Sequence, residues 1–146
     1  MKRLFLVLTL SLSLVSIRSF ANGIEVSGNV LESFKNSFKN ASDVNWSMVD
    51  HYYKASFVIN DQHISAFFDQ EGQIIAMTRN ITTNQLPISL QLSLKKNYGN
   101  YWITDLFEMN DDQGISYYVS IENGDATVVL KSNTVTDWYS FKKMSK

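Results

Sequence analysis

Apolar and polar residues alternate through most of the chain after residue 43. In the segment 52–59, for example, Tyr53, Ala55 and Phe57 share one parity while Lys54 takes the other. Such period-two patterning is typical of antiparallel strands that bury one face. Together with the turn residues that interrupt it, the pattern predicts eight strands, at residues 44–48, 52–59, 63–69, 73–78, 101–110, 115–121, 126–131 and 135–141.

Two segments follow a helical period instead. Val30, Phe34 and Phe38 fall on one stripe of a helix, and a serine just before this segment is a suitable N-cap. In the second segment Leu90 and Leu94 form an i, i+4 pair between the only proline, which favours a helix start, and a glycine, which favours a helix end. The sequence therefore predicts one helix before each group of four strands.

The two halves of the chain share this order of elements. Hairpin turns are predicted at Asn60-Asp61 and at Asn123-Gly124, because these residues tolerate the positive φ of tight turns. Similar features recurring at a fixed offset indicate a duplication, with repeats at about 28–79 and 86–142. We expect an α+β fold in one domain, residues 22–146. It would be a tandem repeat of a helix followed by a four-stranded antiparallel meander, forming a curved antiparallel sheet with the helices on one face.

The N-terminus has the three parts of a secretory signal peptide. Lys2 and Arg3 precede a mostly apolar run over residues 4–17, and small residues lie at the −3 and −1 positions before a cleavage point after Ala21. The alternative is a membrane anchor, but about 20 apolar residues are needed to span a bilayer and this run is shorter. The sequence therefore predicts an exported protein, periplasmic or secreted, whose mature chain has no transmembrane anchor.

Charge argues against one class of partner, and cysteine content excludes stabilisation by disulfides. Removing residues 1–21 takes away three basic residues and no acidic one, which changes the net charge from −1 to −4. A mildly acidic chain with scattered lysines is a poor match for a phosphate backbone, so no nucleic-acid partner is expected. The chain has no cysteine. An exported domain of this kind must be stabilised by its core without disulfides.

Several aromatic and turn positions resemble those of a known family. The matching segments are residues 34–41 (FKNSFKNA), 44–46 (VNW), 52–57 (YYKASF), 66–69 (AFFD) with Gly72, and 86–98, which begins Leu-Pro and ends in a Lys-Lys pair and Tyr98. These segments are similar to the opening and middle of the PepSY-like periplasmic proteins, over nearly all of residues 28–142. The resemblance implies a beta-lactamase-inhibitor-protein-like (BLIP-like) fold. It implies no particular activity, since its motifs are structural.

No motif for catalysis, metal binding or cofactor binding stands out. Asp61 and His63 could share a strand face, but a metal site needs three or four convergent ligands. Ser116 lies inside an alternating strand without the elbow of a serine nucleophile. The pair Asp111-Asp112 falls in a predicted turn, where such residues usually bond to the backbone. We therefore predict a protein that is not an enzyme and has no catalytic residues, metal or cofactor.

The second face of the sheet provides the candidate binding surface. If the helices cover the face built by Phe57, Phe68, Tyr117 and Val128, the opposite parity carries large aromatic and polar side chains. Tyrosine and tryptophan are enriched in binding hot spots, although aromatic cross-strand pairs also stabilise solvated faces. The predicted binding face comprises Tyr52, Lys54, His63, Phe67, Tyr118 and Trp138.

Three functional hypotheses follow. The first is a non-enzymatic binding or inhibitor-type protein of the cell envelope whose open aromatic face binds a protein or peptide. The second is a carrier of a small molecule or lipid in the periplasm, with an apolar cleft between sheet and helices. The third, an exported hydrolase, requires a convergent acid–base pair that the residue spacing does not reveal.

Overall fold

The computed structural model describes residues 24–145, so the predicted signal peptide and its cleavage point after Ala21 lie outside the described residues. Two α-helices and eight strands follow one another in the predicted order. The elements are α1 (Gly28–Ser37), β1 (Ser42–Val49), β2 (Tyr52–Ile59), β3 (Gln62–Phe68), β4 (Ile74–Asn80), a 3-10 turn (Thr83–Gln85), α2 (Ile88–Asn97), β5 (Trp102–Asp111), β6 (Gly114–Glu122), β7 (Ala126–Ser132) and β8 (Tyr139–Ser145).

The strands form a single eight-stranded antiparallel sheet in which neighbours in sequence are neighbours in space, from β1 to β8. The β2–β3 hairpin turns through Asn60 and Asp61, both at positive φ as predicted. The β6–β7 hairpin is closed by the side chain of Asn123, whose Oδ1 accepts from the N–H groups of Asp125 and Ala126. Residues 24–145 therefore form an α+β fold with an open antiparallel sheet and two helices.

Both helices lie on the same face of the sheet, where each builds a core of its own. Val30 and Phe34 of α1 pack on a cluster that includes Phe57 and Phe68 of β2 and β3. In the second half α2 packs on β5, β6 and β7, through the cluster Leu90, Leu94, Leu106, Val119, Ile121, Val128 and Leu130, with Tyr117 against it. The prediction that the helices cover the face of Phe57, Phe68, Tyr117 and Val128 is confirmed.

The last strand begins later than the sequence predicts. Alternation indicated a strand over residues 135–141, but β8 starts at Tyr139. The hydroxyl of Ser132 bonds to the backbone of Thr134, and the Thr134 hydroxyl accepts from the N–H of Thr136. Hydroxyl-to-backbone bonds of this kind compete with the ladder of a sheet. The apparent alternation before residue 139 therefore belongs to a turn.

Candidate functional site

The face of the sheet opposite the helices carries a third apolar cluster. We call this side the reverse face. Its centre is formed by Phe67, Ala76, Phe107, Met109 and Tyr118, and no residue of either helix belongs to that cluster. Period-two alternation places these side chains there, since each neighbours a strand residue that points to the helices. The reverse face therefore has a small buried core of its own.

One end of the reverse face pairs a lysine with an aromatic ring. Lys54 and Phe67 are register partners on β2 and β3. The Lys54 ammonium lies 5.8 Å from the centre of the Phe67 ring, within the range of a cation–π contact. Burial lowers the pKa of Lys54, because the charged form loses hydration there. Next to this pair the hydroxyls of Ser56 and Ser65 lie 3.1 Å apart.

The other end is built around Tyr118. Its ring stacks on Phe107 at 5.0 Å with an interplanar angle of 8°, and Phe141 of β8 meets it edge-on at 5.7 Å. The Lys131 ammonium lies 5.0 Å from the ring centre. Burial acts to lower the pKa of Lys131, but its hydrogen bond to Tyr118 and nearby negative groups outweigh burial and raise that pKa. A positive charge therefore sits over an aromatic ring at each end of the reverse face.

The predicted site residues differ widely in exposure. Phe67 and Tyr118 lie on the reverse face, but only 1% and 6% of their surfaces are exposed. Tyr52 is also buried, with its ring 4.1 Å from that of His51. The expectation of an openly exposed aromatic surface is therefore wrong for these three rings, because neighbouring side chains pack against them. Exposed apolar surface is found instead on β8, at Tyr139 and Phe141.

His63 lies at the rim of the reverse face. It is exposed and borders a cavity of about 460 Å³ of mixed polar and apolar lining, with Asn45 and Asn80. Within residues 24–145, no three His, Cys, Asp or Glu side chains gather in a way that could hold a metal ion. Asp61 is in the tight turn at positive φ, so it does not continue the strand face of His63. The two residues thus form no site together.

Trp138 lies on the opposite side of the sheet from its predicted position. Its indole packs against the core beneath α2, and Nε1 donates a 3.0 Å hydrogen bond to the backbone carbonyl of Leu90. Its side was predicted from alternation over residues 135–141, but β8 starts one residue after Trp138, so strand alternation does not apply to it. Trp138 therefore anchors a helix and is removed from the candidate face.

Several reverse-face residues were missed by the sequence analysis. Phe107 and Met109 belong to the central cluster, and Lys131 and Phe141 pack around Tyr118. A register shift between Ile103 and Asp105 changes the parity of β5 before these residues. Phe107 could have been found from its position directly across from Tyr118 on the neighbouring strand. That register is set by the fold, so the sequence alone does not give it.

Polar groups that suggested chemistry have structural partners. Asp111 Oδ1 accepts from the backbone N–H of Gln113 and so closes the β5–β6 turn. The hydroxyl of Ser116 is 3.1 Å from the Oδ1 atom of Asn133. In both cases a side chain that might act on a substrate instead satisfies a local group, as is common in turns and buried strands.

A second concave region lies on the helix side. It is a cavity of about 360 Å³ between the C-terminal half of α2 and strands β5 and β6. We call it the α2 groove; its lining residues are Thr83, Gln91, Leu92, Leu94, Lys95, Tyr98, Gly99, Tyr101, Ile103 and Ile121. This groove corresponds in position to the apolar cleft that a carrier would need between sheet and helices.

Over residues 24–145, neither helix has the length and apolar character needed to cross a membrane.

Comparisons with known proteins identify the fold. No protein-family model matches the chain. No curated protein matches it either. Among solved structures, a BLIP-like protein from Bacteroides fragilis has a TM-score of 0.70 at 17% identity, covering 84% of this chain and 87% of its own. A DUF2874 family protein from Bacteroides uniformis has a TM-score of 0.74 at 15% identity, covering 83% and 90%.

A third structure, from Bacteroides eggerthii and provisionally described as a periplasmic protein, has a TM-score of 0.75 at 11% identity, covering 84% of this chain and 90% of its own. At such identities the likeness shows the fold alone. The chain therefore has a BLIP-like fold, as the sequence resemblance implied. Membership of the PepSY-like family stays a prediction.

Proposed function

We propose that this chain is an exported, non-enzymatic binding or inhibitor-type protein of the cell envelope that binds a protein or peptide through its reverse face. The observation that carries the proposal is the arrangement around Tyr118. A buried stack of Phe107 and Tyr118 is flanked by the exposed ring of Phe141 and by the Lys131 ammonium. Tyrosine is enriched among the residues that dominate binding energy in protein interfaces, and a lysine beside it adds a charged contact.

The buried centre of this face would hold its shape, and its exposed edge would contact the partner. Phe107 and Tyr118 hold the surface in one shape, so little conformational entropy would be lost on binding. Tyr139 and Phe141 remain exposed on β8 and offer apolar area next to Lys131. The partner would therefore place an apolar group against β8 and a carboxylate near the Lys131 ammonium.

The descriptions of two structural neighbours support this proposal. One is described as BLIP-like and another, provisionally, as periplasmic. These descriptions fit a binding protein in the envelope and a location reached by signal-peptide cleavage near Ala21. The matching order of elements in residues 28–79 and 86–142 further suggests a duplicated unit. Register shifts within β1–β2, β3–β4, β5–β6 and β7–β8 are of the kind that bend strands and would curve the sheet.

The test begins with affinity capture of the partner from an envelope extract of the host, followed by measurement of the dissociation constant with that purified partner. We expect Tyr139→Ala and Phe141→Ala each to weaken binding by about thirtyfold, because truncating a hot-spot residue costs about 2 kcal/mol or more. The control is Val135→Ala, which truncates an apolar side chain that is more exposed than either ring and lies in the turn before β8. Unchanged affinity in both aromatic variants would exclude the reverse face as the binding surface.

A second candidate function, a carrier of a small molecule or lipid, is supported by the α2 groove. Its lining is mostly apolar, and its volume is at the lower end of the range for ligand pockets, about 300–1,000 Å³. Native mass spectrometry of protein purified from its host would reveal a carried ligand as a discrete mass increment. A clean mass of the unliganded chain would count against the carrier.

A further inference from the structure

The floor and rim of the α2 groove differ in exposure. Leu94 and Ile121 are buried and form the floor, whereas Leu92 and Ile103 are exposed on the rim. Four aliphatic side chains thus surround a space that is open to solvent, and two of them keep apolar surface in water. Exposed apolar residues that border a cavity indicate a ligand contact more strongly than isolated ones do.

Two tyrosines form one end of this groove. The rings of Tyr98 and Tyr101 meet edge-on at 6.0 Å, and the N–H of Tyr101 donates to the carbonyl of Tyr98. Gly99 lies between them, where an added Cβ would come within 2.9 Å of the Lys95 carbonyl oxygen. This tight turn places the tyrosine pair at the end of α2, where it forms one wall of the groove.

The charge at the groove has one sign. Among the residues of 24–145 that line it, Lys95 is the only charged one, and none carries a carboxylate. The side-chain amide of Gln91 is already engaged, because its Nε2 donates to the carbonyl of Leu86. The Lys95 ammonium is therefore the charged group that a ligand in this groove would meet. It favours an anion and disfavours a cation.

From this combination we infer that the α2 groove binds a single-chain amphiphile with one carboxylate, such as a medium-chain fatty acid. The alkyl chain lies over Leu94, Ile103 and Ile121, and the carboxylate is at Lys95. The modest volume favours one chain over a two-chain lipid. The single cation favours a carboxylate over a membrane surface, which attracts clusters of lysine and arginine. The inference rests on the carrier function proposed for the α2 groove, and the site is on the helix side of the sheet, away from the reverse face.

Isothermal titration calorimetry with sodium decanoate, below its micelle-forming concentration and at 0.15 M salt, tests the inference. The protein is the chain as its host produces it. We expect saturable binding of one decanoate per chain. Decyltrimethylammonium, with the same alkyl chain and the opposite charge, should bind about fivefold or more weakly, because it meets the Lys95 ammonium. Equal binding of the two detergents, or no saturable binding, would overturn the inference.

Neighbouring residues on α2 provide matched variants. Lys95→Glu should weaken decanoate binding about fivefold or more, whereas Lys96→Glu, one residue along and outside the groove, should change it less than about twofold at this screening length. Leu92→Asn should weaken decanoate binding about threefold or more. Ile88→Asn is its control, because Ile88 is an exposed side chain of the same size that lies outside the groove. Equal effects within either pair would show that decanoate binds elsewhere.

Methyl NMR provides a second readout. Decanoate should shift the methyl signals of Ile103 and Ile121, which line the groove, and leave those of Ile74 on β4 in place. The variant Phe141→Ala on the reverse face should bind decanoate as the unaltered chain does. A loss of decanoate binding in this variant would overturn the assignment of decanoate to the α2 groove.

Discussion

Arg79 and Glu108 form a two-pronged ion pair at the junction between the two halves of the sheet. Nε and Nη2 of Arg79 donate to the two carboxylate oxygens of Glu108, and each hydrogen bond is 3.0 Å long. The residues are register partners on β4 and β5, and Tyr117 on β6 is the next residue in the same row. The hydrogen bond to Glu108 raises the pKa of Arg79, while burial and the charge of Glu108 raise the pKa of Tyr117.

This ion pair should contribute measurably to stability. A double-mutant cycle with Arg79→Met and Glu108→Gln is expected to give a coupling free energy of about 0.5–1.5 kcal/mol, because a bidentate pair is stronger than an average surface pair but is partly exposed to solvent. Urea unfolding of the four proteins measures it. The coupling should fall in 1 M salt; a value near zero at low salt would mean that the pair does not stabilise the junction.

Asp105 makes stability depend on pH. Burial raises the pKa of its carboxyl, partly offset by a hydrogen bond from the Leu106 backbone. The folded state therefore holds this proton more tightly than the unfolded state, and stability is lost as the pH rises through the folded pKa. Asp105→Asn should be more stable than the unaltered chain at neutral pH by up to about 1 kcal/mol, reduced by solvent screening.

The difference between Asp105→Asn and the unaltered chain should shrink in acid, where both states of the protein carry the proton. Unfolding midpoints from pH 3 to pH 7 provide the comparison. Asp125→Asn is the control, since Asp125 is exposed in the β6–β7 turn. A difference that grows toward acid would contradict the expected sign.

Trp138 should behave as a structural residue. Trp138→Phe removes the hydrogen bond to the Leu90 carbonyl and leaves a smaller ring against the core, so the free energy of unfolding should fall by about 1–2 kcal/mol. Thermal or urea unfolding measures the loss. If unfolding were unchanged while partner binding fell, Trp138 would belong to a binding surface after all.

Two glycines at positive φ should respond differently to the same change. A Cβ at Gly72 would lie 2.8 Å from the backbone oxygen of Asn29 at the start of α1, whereas a Cβ at Gly114 would meet nothing within 4 Å. Gly114→Ala should cost only the backbone term, about 1–2 kcal/mol. Gly72→Ala should cost more by about 1 kcal/mol or above, because helix and turn must also move apart. Equal losses in urea unfolding would show that the turn and α1 are not in firm contact.

Local patterns predicted the strands well where nothing interrupts the pleat. Alternation located β2 and β3 and identified Phe57 and Phe68 as the side covered by a helix, because one face of each strand is consistently apolar. The same rule failed near Trp138. There, threonine and serine hydroxyls bond to the backbone and stabilise a turn, although its residues alternate as those of a strand do.

Two properties of the candidate sites depend on tertiary arrangement and had no local signal. Parity showed that Phe67 and Tyr118 share a face, but it could not show that lysines and neighbouring rings would cover them. The α2 groove depends on how far the helix stands from Ile103 and Ile121. That distance is set by packing between residues remote in sequence, so the sequence suggested a cleft without its lining.

The order of the strands leaves β1 and β8 as the two edges of the sheet in residues 24–145. An edge offers free N–H and C=O groups to any extended chain that approaches, and lysines along it discourage such addition. β8 carries Lys142 and Lys143. β1 carries no lysine or arginine and exposes Val44 and Met48. Self-association of this protein by strand pairing would therefore begin at β1, and polymer growth from β8 would be opposed by charge.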